Sequence, residues 1–349
     1  MPRIISGSFM TPERFTQLSE RYAKLRVVLL GDFCLDRYLD IDPAKSETSI
    51  ETGLTVHNVT GVRSQPGAAG TILANLTALG AGAVFPIGFC GEDGEGYELR
   101  RALEKIPRVD CAGFVQTPER RTFTYTKPML HRAGQVPEEL NRLDLKNWTA
   151  TPATVEDSLL AALRKLATNA DAIIVMDQVD IAETGTVTTR IREAVGEISR
   201  AHPSVPVLAD CRRGLHGWPQ CIWKMNTHEL SLLEGVSEND PAAMRGAIAR
   251  RARSNGRAVF VSQAGDGILG ADASGETRHV AAFPVRGPID IVGAGDSVSA
   301  NLTMALAAGA TISEAMEMAM AAANTVIHQL GTTGTASLAQ IGKLIFGAR

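Results

Sequence analysis

Short apolar runs set between helical patterns constrain this chain more than any other feature. Arg26-Val-Val-Leu-Leu-Gly31-Asp32 reads as a buried strand, and comparable runs follow at residues 83–88, 172–176, 205–210 and 258–262. Between them lie helical patterns over 69–79, 154–167 and 181–199. A further helix is predicted ahead of the first strand, from the Thr11 N-cap and Pro12 to about Lys24. Strands that are apolar throughout need cover on both faces, and helices between them provide it. The pattern therefore predicts an α/β fold with a mostly parallel sheet covered by helices on both faces. Length fits one such domain over residues 1–349.

Two segments break the rhythm. Residues 37–66 carry Thr55, Val56, Val59 and Val62 without a helical period. Residues 112–147 include Arg121 to Lys127, where Phe123, Tyr125 and Lys127 alternate with threonines. Period-two alternation of aromatic and β-branched residues signals strands. The two segments are read as inserted strands, either a small β lid over a cleft or ordinary edge hairpins.

Composition excludes several classes. A net charge of −3 gives no basic footprint for nucleic acid. The five cysteines are odd in number, scattered, and lack a C-x-x-C pair, which speaks against a disulfide framework or a thiolate zinc site. No run approaches the length of a membrane span and no signal pattern opens the chain, so a cytoplasmic protein without membrane partners is expected.

The stretch richest in chemistry is Asp290-Ile-Val-Gly293-Ala294-Gly295-Asp296, running into a helical pattern that stops at Gly309. Small residues before a helix leave its first N–H groups bare, where the dipole also favours an anion. A phosphoryl group in transfer needs such donors, and Asp296 in the same turn could accept a proton from an attacking hydroxyl. Asn226 and Glu229 lie three residues apart after an apolar run. That pair suits either a water-rich Mg²⁺ site or a capping box. Asp36 follows the first strand, at the end where open α/β sheets bind ligands. Neither the dinucleotide glycine fingerprint nor a Walker-type loop is present.

In this order and spacing, from about Arg26 to Ile341, the pieces resemble the PfkB/ribokinase family of carbohydrate kinases. The resemblance implies a ribokinase-like fold with a small β lid, often also a dimer contact, and thus a homodimer through the lid. It implies Asp296 as base, Gly293, Ala294 and Gly295 as the anion hole, and Asn226 and Glu229 as the residues linked to Mg²⁺. It places Ser262, Gly265, Gly267, Gly331 and Thr332 at the ATP site, and Asp36, Gly67, Ala68 and Thr71 at the sugar site. A potassium ion is implied near Asp290 and the loop after Gly331. Within the family, Gly31-Asp-x-x-x-Asp36-Arg37-Tyr38, Asn141 to Asp144 and Gln329 to Thr332 are most similar to heptose-7-phosphate kinases. No H-x-G-H motif of a nucleotidylyltransferase accompanies them.

One stretch departs from the family pattern. Gly67-Ala68-Ala69-Gly70-Thr71 has Ala68 for a second glycine and Thr71 for an asparagine. The expected function is transfer of the γ-phosphoryl of ATP to a sugar or sugar phosphate that differs from the usual substrates where it meets these residues. Arg37, Arg132 and Arg142 are candidates for a phosphate already on the substrate. A catalytically silent sugar or nucleotide sensor is the rival reading.

Overall fold

A computed structural model describes residues 9–331 and 333–347. The described residues form a nine-stranded sheet whose centre is parallel. From one edge the order is Thr277–Val280, Ile268–Ala271, Val259–Ser262, Ile222–Asn226, Val207–Cys211, Ala172–Asp177, Arg26–Gly31, Ala83–Gly91 and Phe114–Thr117. Only the pairings of the first three strands in that order are antiparallel.

The apolar runs behave as their sequence dictates. In Arg26–Gly31, Val27 and Leu29 join one core cluster while Val28 and Leu30 join the other, so alternate side chains serve the two faces. Helices Ala69–Ala78, Ala294–Ala307 and Ile312–Ile327 cover the first face. Helices Ala153–Ala167, Thr189–Ala201 and Pro241–Asn255 cover the second.

A second, five-stranded sheet stands apart from the first. Its central strand Phe33–Ile41 pairs antiparallel with Val59–Ala68 and parallel with Thr124–Leu130; Leu143–Leu145 and Glu138–Glu139 add to the latter. Its bounds differ from the segments read in the sequence. The first strand begins at Phe33 rather than Arg37, because the backbone leaves the large sheet at Asp32 and at once pairs with Ala68. Residues 114–117, assigned to the inserted region, pair with Ala83–Gly91 in the large sheet instead.

A further correction concerns the helix expected from residue 181, which starts at Thr189. The Asp32 carboxylate, 3% exposed, accepts from the amides of Gln178 (2.8 Å), Val179 (3.2 Å) and Thr186 (2.6 Å), holding the intervening chain as a loop. Helix propensity in this stretch yields to a buried carboxylate with three donors.

Candidate active site

The N-termini of the Ala69–Ala78 and Ala294–Ala307 helices touch at one cleft, with Asp36 of the second sheet within electrostatic reach of Asp296. The Ala294–Ala307 helix opens after Gly293 at φ 82°, a conformation that favours glycine, and no side chain caps it. Ala294 N donates to Ile291 O and Ser297 N to Gly293 O, while the Gly295 and Asp296 amides have no protein acceptor among the described residues. Two open donors thus face the cleft at the positive end of the helix dipole.

Opposite them sits an ammonium group. Lys224 Nζ lies 3.2 Å from the place a Cβ on Gly295 would take. Lys224 stands in the middle of the Ile222–Asn226 strand, among Ile222, Trp223 and Met225, and it is buried with Asp210, whose Oδ2 it meets at 2.8 Å. Ser299 Oγ donates to the same oxygen at 2.9 Å. A buried ion pair with a second donor is well determined, since the loss of either partner strands a charge. Asp296 is half-buried beside this pair. Burial, then the neighbouring Asp210 charge, push its carboxyl up to about 7, against the pull of Lys224; the Asp36 charge adds to the rise.

The second sheet supplies the other wall. Register places Asp36 beside Gln65 and Tyr125, and Tyr38 beside Arg63 and Lys127, all on the cleft face. Lys127 Nζ meets Asp36 Oδ1 at 3.4 Å and donates to the Tyr38 hydroxyl at 3.3 Å. Burial pushes the Asp36 carboxyl up, against Lys127. Gly67 lies so close to Asp36 that an added Cβ would collide with its carboxylate and sit 2.7 Å from Cys34 Sγ. Thr71 is 3% exposed, with Cγ2 3.3 Å from the Cβ position of Gly293, so the two helix starts touch. Gln65 Nε2 donates to Thr333 Oγ1, tying sheet, helix starts and C-terminal loop together.

The remaining residues singled out in the sequence divide. Asn226 and Glu229 form a complete capping box: Glu229 N donates to Asn226 Oδ1 at 2.9 Å, and Asn226 N to Glu229 Oε2 at 2.7 Å. Burial raises the Glu229 carboxyl, and the charges of Asp210 and Lys224 also act on it, which places it beside the same cleft. Ser262 is level with Asn226 on the adjacent strand. Gly265 faces open space, while Gly267, at φ 103°, is required by the backbone of residues 280–282 pressed against it. Gly331 N approaches Asp290 Oδ2 at 3.4 Å. Thr332 lies outside the described residues. Arg37, on the far face, pairs with Glu95 and Glu98; Arg132 pairs with Glu138. Arg142 pairs with Asp144 and stacks on Tyr125, within electrostatic reach of Asp36.

Sequence reasoning missed Lys224 and Asp210. The available signal was a single charge inside each of two largely apolar strands, Ile222–Asn226 and Val207–Cys211.

Comparison with known proteins gives the family and the fold. Residues 25–338 match the family described as pfkB family carbohydrate kinase. The bifunctional protein HldE of Azorhizobium caulinodans is 28% identical over 283 residues, 80% of this chain and 56% of the relative. That of Hyphomonas neptunium is 30% identical over 300 residues, 84% of this chain and 58% of the relative. The chain thus spans less than two thirds of these relatives. Among solved structures, Arabidopsis thaliana ribokinase complexed with ribose and ATP superposes with a TM-score of 0.65 at 17% identity, covering 93% of this chain and 99% of the other. Escherichia coli phosphofructokinase-2 in complex with substrates and products gives 0.68 at 18%, covering 92% and 98%. At these identities the structures speak to the ribokinase-like fold.

Proposed function

The chain belongs to the pfkB family of carbohydrate kinases, and from that premise we propose that it transfers the γ-phosphoryl group of ATP to a hydroxyl of a sugar or sugar phosphate, with Asp296 as base. The observation that carries the reading is the helix start at Gly293, where open amides, the Lys224 ammonium and a carboxylate poised near neutrality converge.

In this mechanism the acceptor hydroxyl gives its proton to Asp296 as its oxygen bonds to the γ-phosphorus. The bond to the β-phosphate oxygen breaks and ADP departs. Charge spreads over the equatorial oxygens, where the Gly295 and Asp296 amides and Lys224 await it without reorganising. A base with a pKa near the working pH combines availability with affinity for the proton. Asp36 and Lys127 orient the sugar, and the roofing sheet excludes the water that would otherwise consume ATP. Ser262, Gly265, Gly267 and Gly331 border the nucleotide.

Magnesium would neutralise phosphate charge, as in phosphoryl transfer generally. The oxygen-rich set of Asn226, Glu229 and Asp210 fits a cation that keeps most of its waters. The capping box occupies Glu229 Oε2 and leaves Oε1 for that purpose. Potassium would sit by Asp290 and the loop after Gly331. Val62, Leu143 and Leu145 lie on the outer face of the second sheet and are 53%, 67% and 44% exposed, which supports a homodimer through that sheet.

The likeness to the HldE proteins makes a heptose phosphate one candidate acceptor among several. The test is sugar-dependent ADP formation from Mg-ATP over ribose, fructose, fructose 6-phosphate and a heptose 7-phosphate. Turnover with at least one acceptor is expected. ATP binding with no turnover on any of them would establish the silent-sensor reading instead.

A further inference from the structure

Asp32 follows the Arg26–Gly31 strand and Asp177 ends the neighbouring Ala172–Asp177 strand, whose register sets Met176 beside Gly31. Both side chains are buried, and the Asp32 charge acts on Asp177. Asp32 accepts through both oxygens, from the amides of Gln178, Val179 and Thr186. Asp177 Oδ2 accepts from Arg213 Nη2 and, at 3.3 Å, from Cys211 Sγ. Asp177 Oδ1 is buried and has no partner among the described residues. One guanidinium thus serves two carboxylates, and the Cys34 and Cys211 thiols beside the pair are held neutral by burial. Two buried like charges with a single counter-ion are less stable than one charge and one retained proton. Burial raises both carboxyls, but the amide donors pull Asp32 the other way. Asp177, pushed up to about 7 by burial and then by Asp32, is therefore the group that carries the proton, with Oδ1 free to hold it.

The loop that the pair anchors is the footing of the second sheet. Asp32 holds residues 178–186 at both ends, and Arg213 Nε donates to Val179 O at 3.1 Å while its Nη2 holds Asp177. From the other side, Thr184 O accepts from Arg120 Nη2 at 2.8 Å. Glu183 O accepts from Thr151 N and Gly185 O from Thr151 Oγ1, both at 2.7 Å. Asp180 pairs with Lys146 at 2.7 Å. Arg120 lies just before the Thr124–Leu130 strand, and Lys146 follows Leu143–Leu145, so two of the passages between the sheets rest on this loop. We propose that Asp177 is a positioning residue: the proton it shares with Asp32 keeps residues 178–186 seated, and through them fixes the second sheet and its Asp36 relative to the large sheet. When that proton leaves to solvent, two adjacent charges load the anchor of the loop, and the footing loosens. The clamp does not rest on the kinase reading, which supplies only the sugar that Asp36 would meet.

The test is hydrogen exchange of the ligand-free protein at about pH 6 and about pH 8.5, corrected for intrinsic rates. A carboxyl at 3.8 in the opened loop and about 7 in the seated one makes opening about tenfold more frequent over that interval. Wild type should show this rise in residues 143–151 and 178–186. Asp177→Asn keeps an uncharged group with an acceptor for Arg213, and should abolish the rise; Asp296→Asn should preserve it. A merely structural role would alter exchange equally at both pH values. The proposal is overturned if the two segments exchange alike at the two pH values in wild type, or if the rise persists in Asp177→Asn. Should Asp177→Asn fail to fold, carbon-13 NMR of the aspartate carboxyls in Asp296→Asn decides. One buried carboxyl titrating near 7 is then expected, and none would overturn the assignment. The pH-dependent exchange without turnover on any sugar would keep the clamp and overturn the kinase reading alone.

Discussion

The Ala294–Ala307 helix starts after Gly293 at φ 82°, and the Ala69–Ala78 helix starts after Ala68 at φ 54°. The two starts touch, through Thr71 Cγ2 and the Gly293 turn, and both present N-termini to the same cleft. One turn is built from a residue that suits its backbone; the other is built against its residue's preference. In the proposed reaction the first turn meets the phosphoryl group, which every kinase of this kind must handle alike. The second meets the acceptor sugar, which is where such enzymes differ.

The comparison breaks first if the Gly293 side is not where chemistry occurs. Asp296→Asn should keep fold and ATP binding and lower kcat by about 10²–10⁴-fold. In wild type, kcat/KM should fall about tenfold per pH unit below about 7, as Asp296 takes up a proton. Stability runs the other way. The carboxyl is raised from 3.8 to about 7 on folding, so the folded state binds the proton more tightly and loses stability as pH climbs between those values. Asp296→Asn should remove that contribution and raise Tm relative to wild type at pH 8. Asp177, also raised to about 7 by burial and the neighbouring Asp32, retains a slope of the same sign in the variant. A variant that turns over at more than a tenth of the wild-type rate would remove Asp296 from the mechanism.

The two turns were also unequally legible in the sequence. Asp290 to Asp296 could be read because the demands on it are local: small residues for the turn, bare amides, one acid. Lys224 and Asp210 could not, because each is a lone charge in an apolar run. Only the adjacency of the Val207–Cys211 and Ile222–Asn226 strands brings them within 2.8 Å of each other. The start at Thr189 was hidden for a similar reason, since the competing acceptor, Asp32, is remote in sequence. The substitution at Ala68 was visible, but its strain was not, because a φ angle follows from the strand pairing with Phe33 and the helix that begins one residue later. The residues Asn226 and Glu229 read first as a cap and only by resemblance as a metal site, and the capping box they form leaves one carboxylate oxygen for the second role.

Gly293→Ala converts the unstrained turn into the strained kind and so tests the contrast directly. A Cβ there would lie 3.3 Å from Thr71 Cγ2 and 3.6 Å from Thr333 Cβ, and the positive φ would remain. The expected cost is about 1–3 kcal/mol of stability. Displacement of the open amides by a few tenths of an ångström should lower kcat about tenfold or more, with sugar affinity less affected. Denaturant unfolding and steady-state kinetics measure the two effects. If alanine changes neither stability nor kcat here, the left-handed turn at Gly293 does not hold the open amides in place.

The smallest effect is expected from Thr71→Asn, which separates contact between the helices from contact with sugar. Threonine places one methyl against the Gly293 turn, and its branching limits the rotamers that can do so. Asparagine has no such methyl, and its longer amide must either displace the contact or swing toward the cleft, where it offers both a donor and an acceptor. With Thr71 only 3% exposed, the helix contact should dominate. Tm should then drop by about 1–3 °C, as for loss of one buried methyl, and kcat/KM for the accepted sugar should change by no more than about fivefold. Affinity for ATP should hold. The change in sugar preference should be small, because the asparagine alters the packing of two helices. A large change in preference with Tm intact would instead put Thr71 against the sugar rather than against the Gly293 turn.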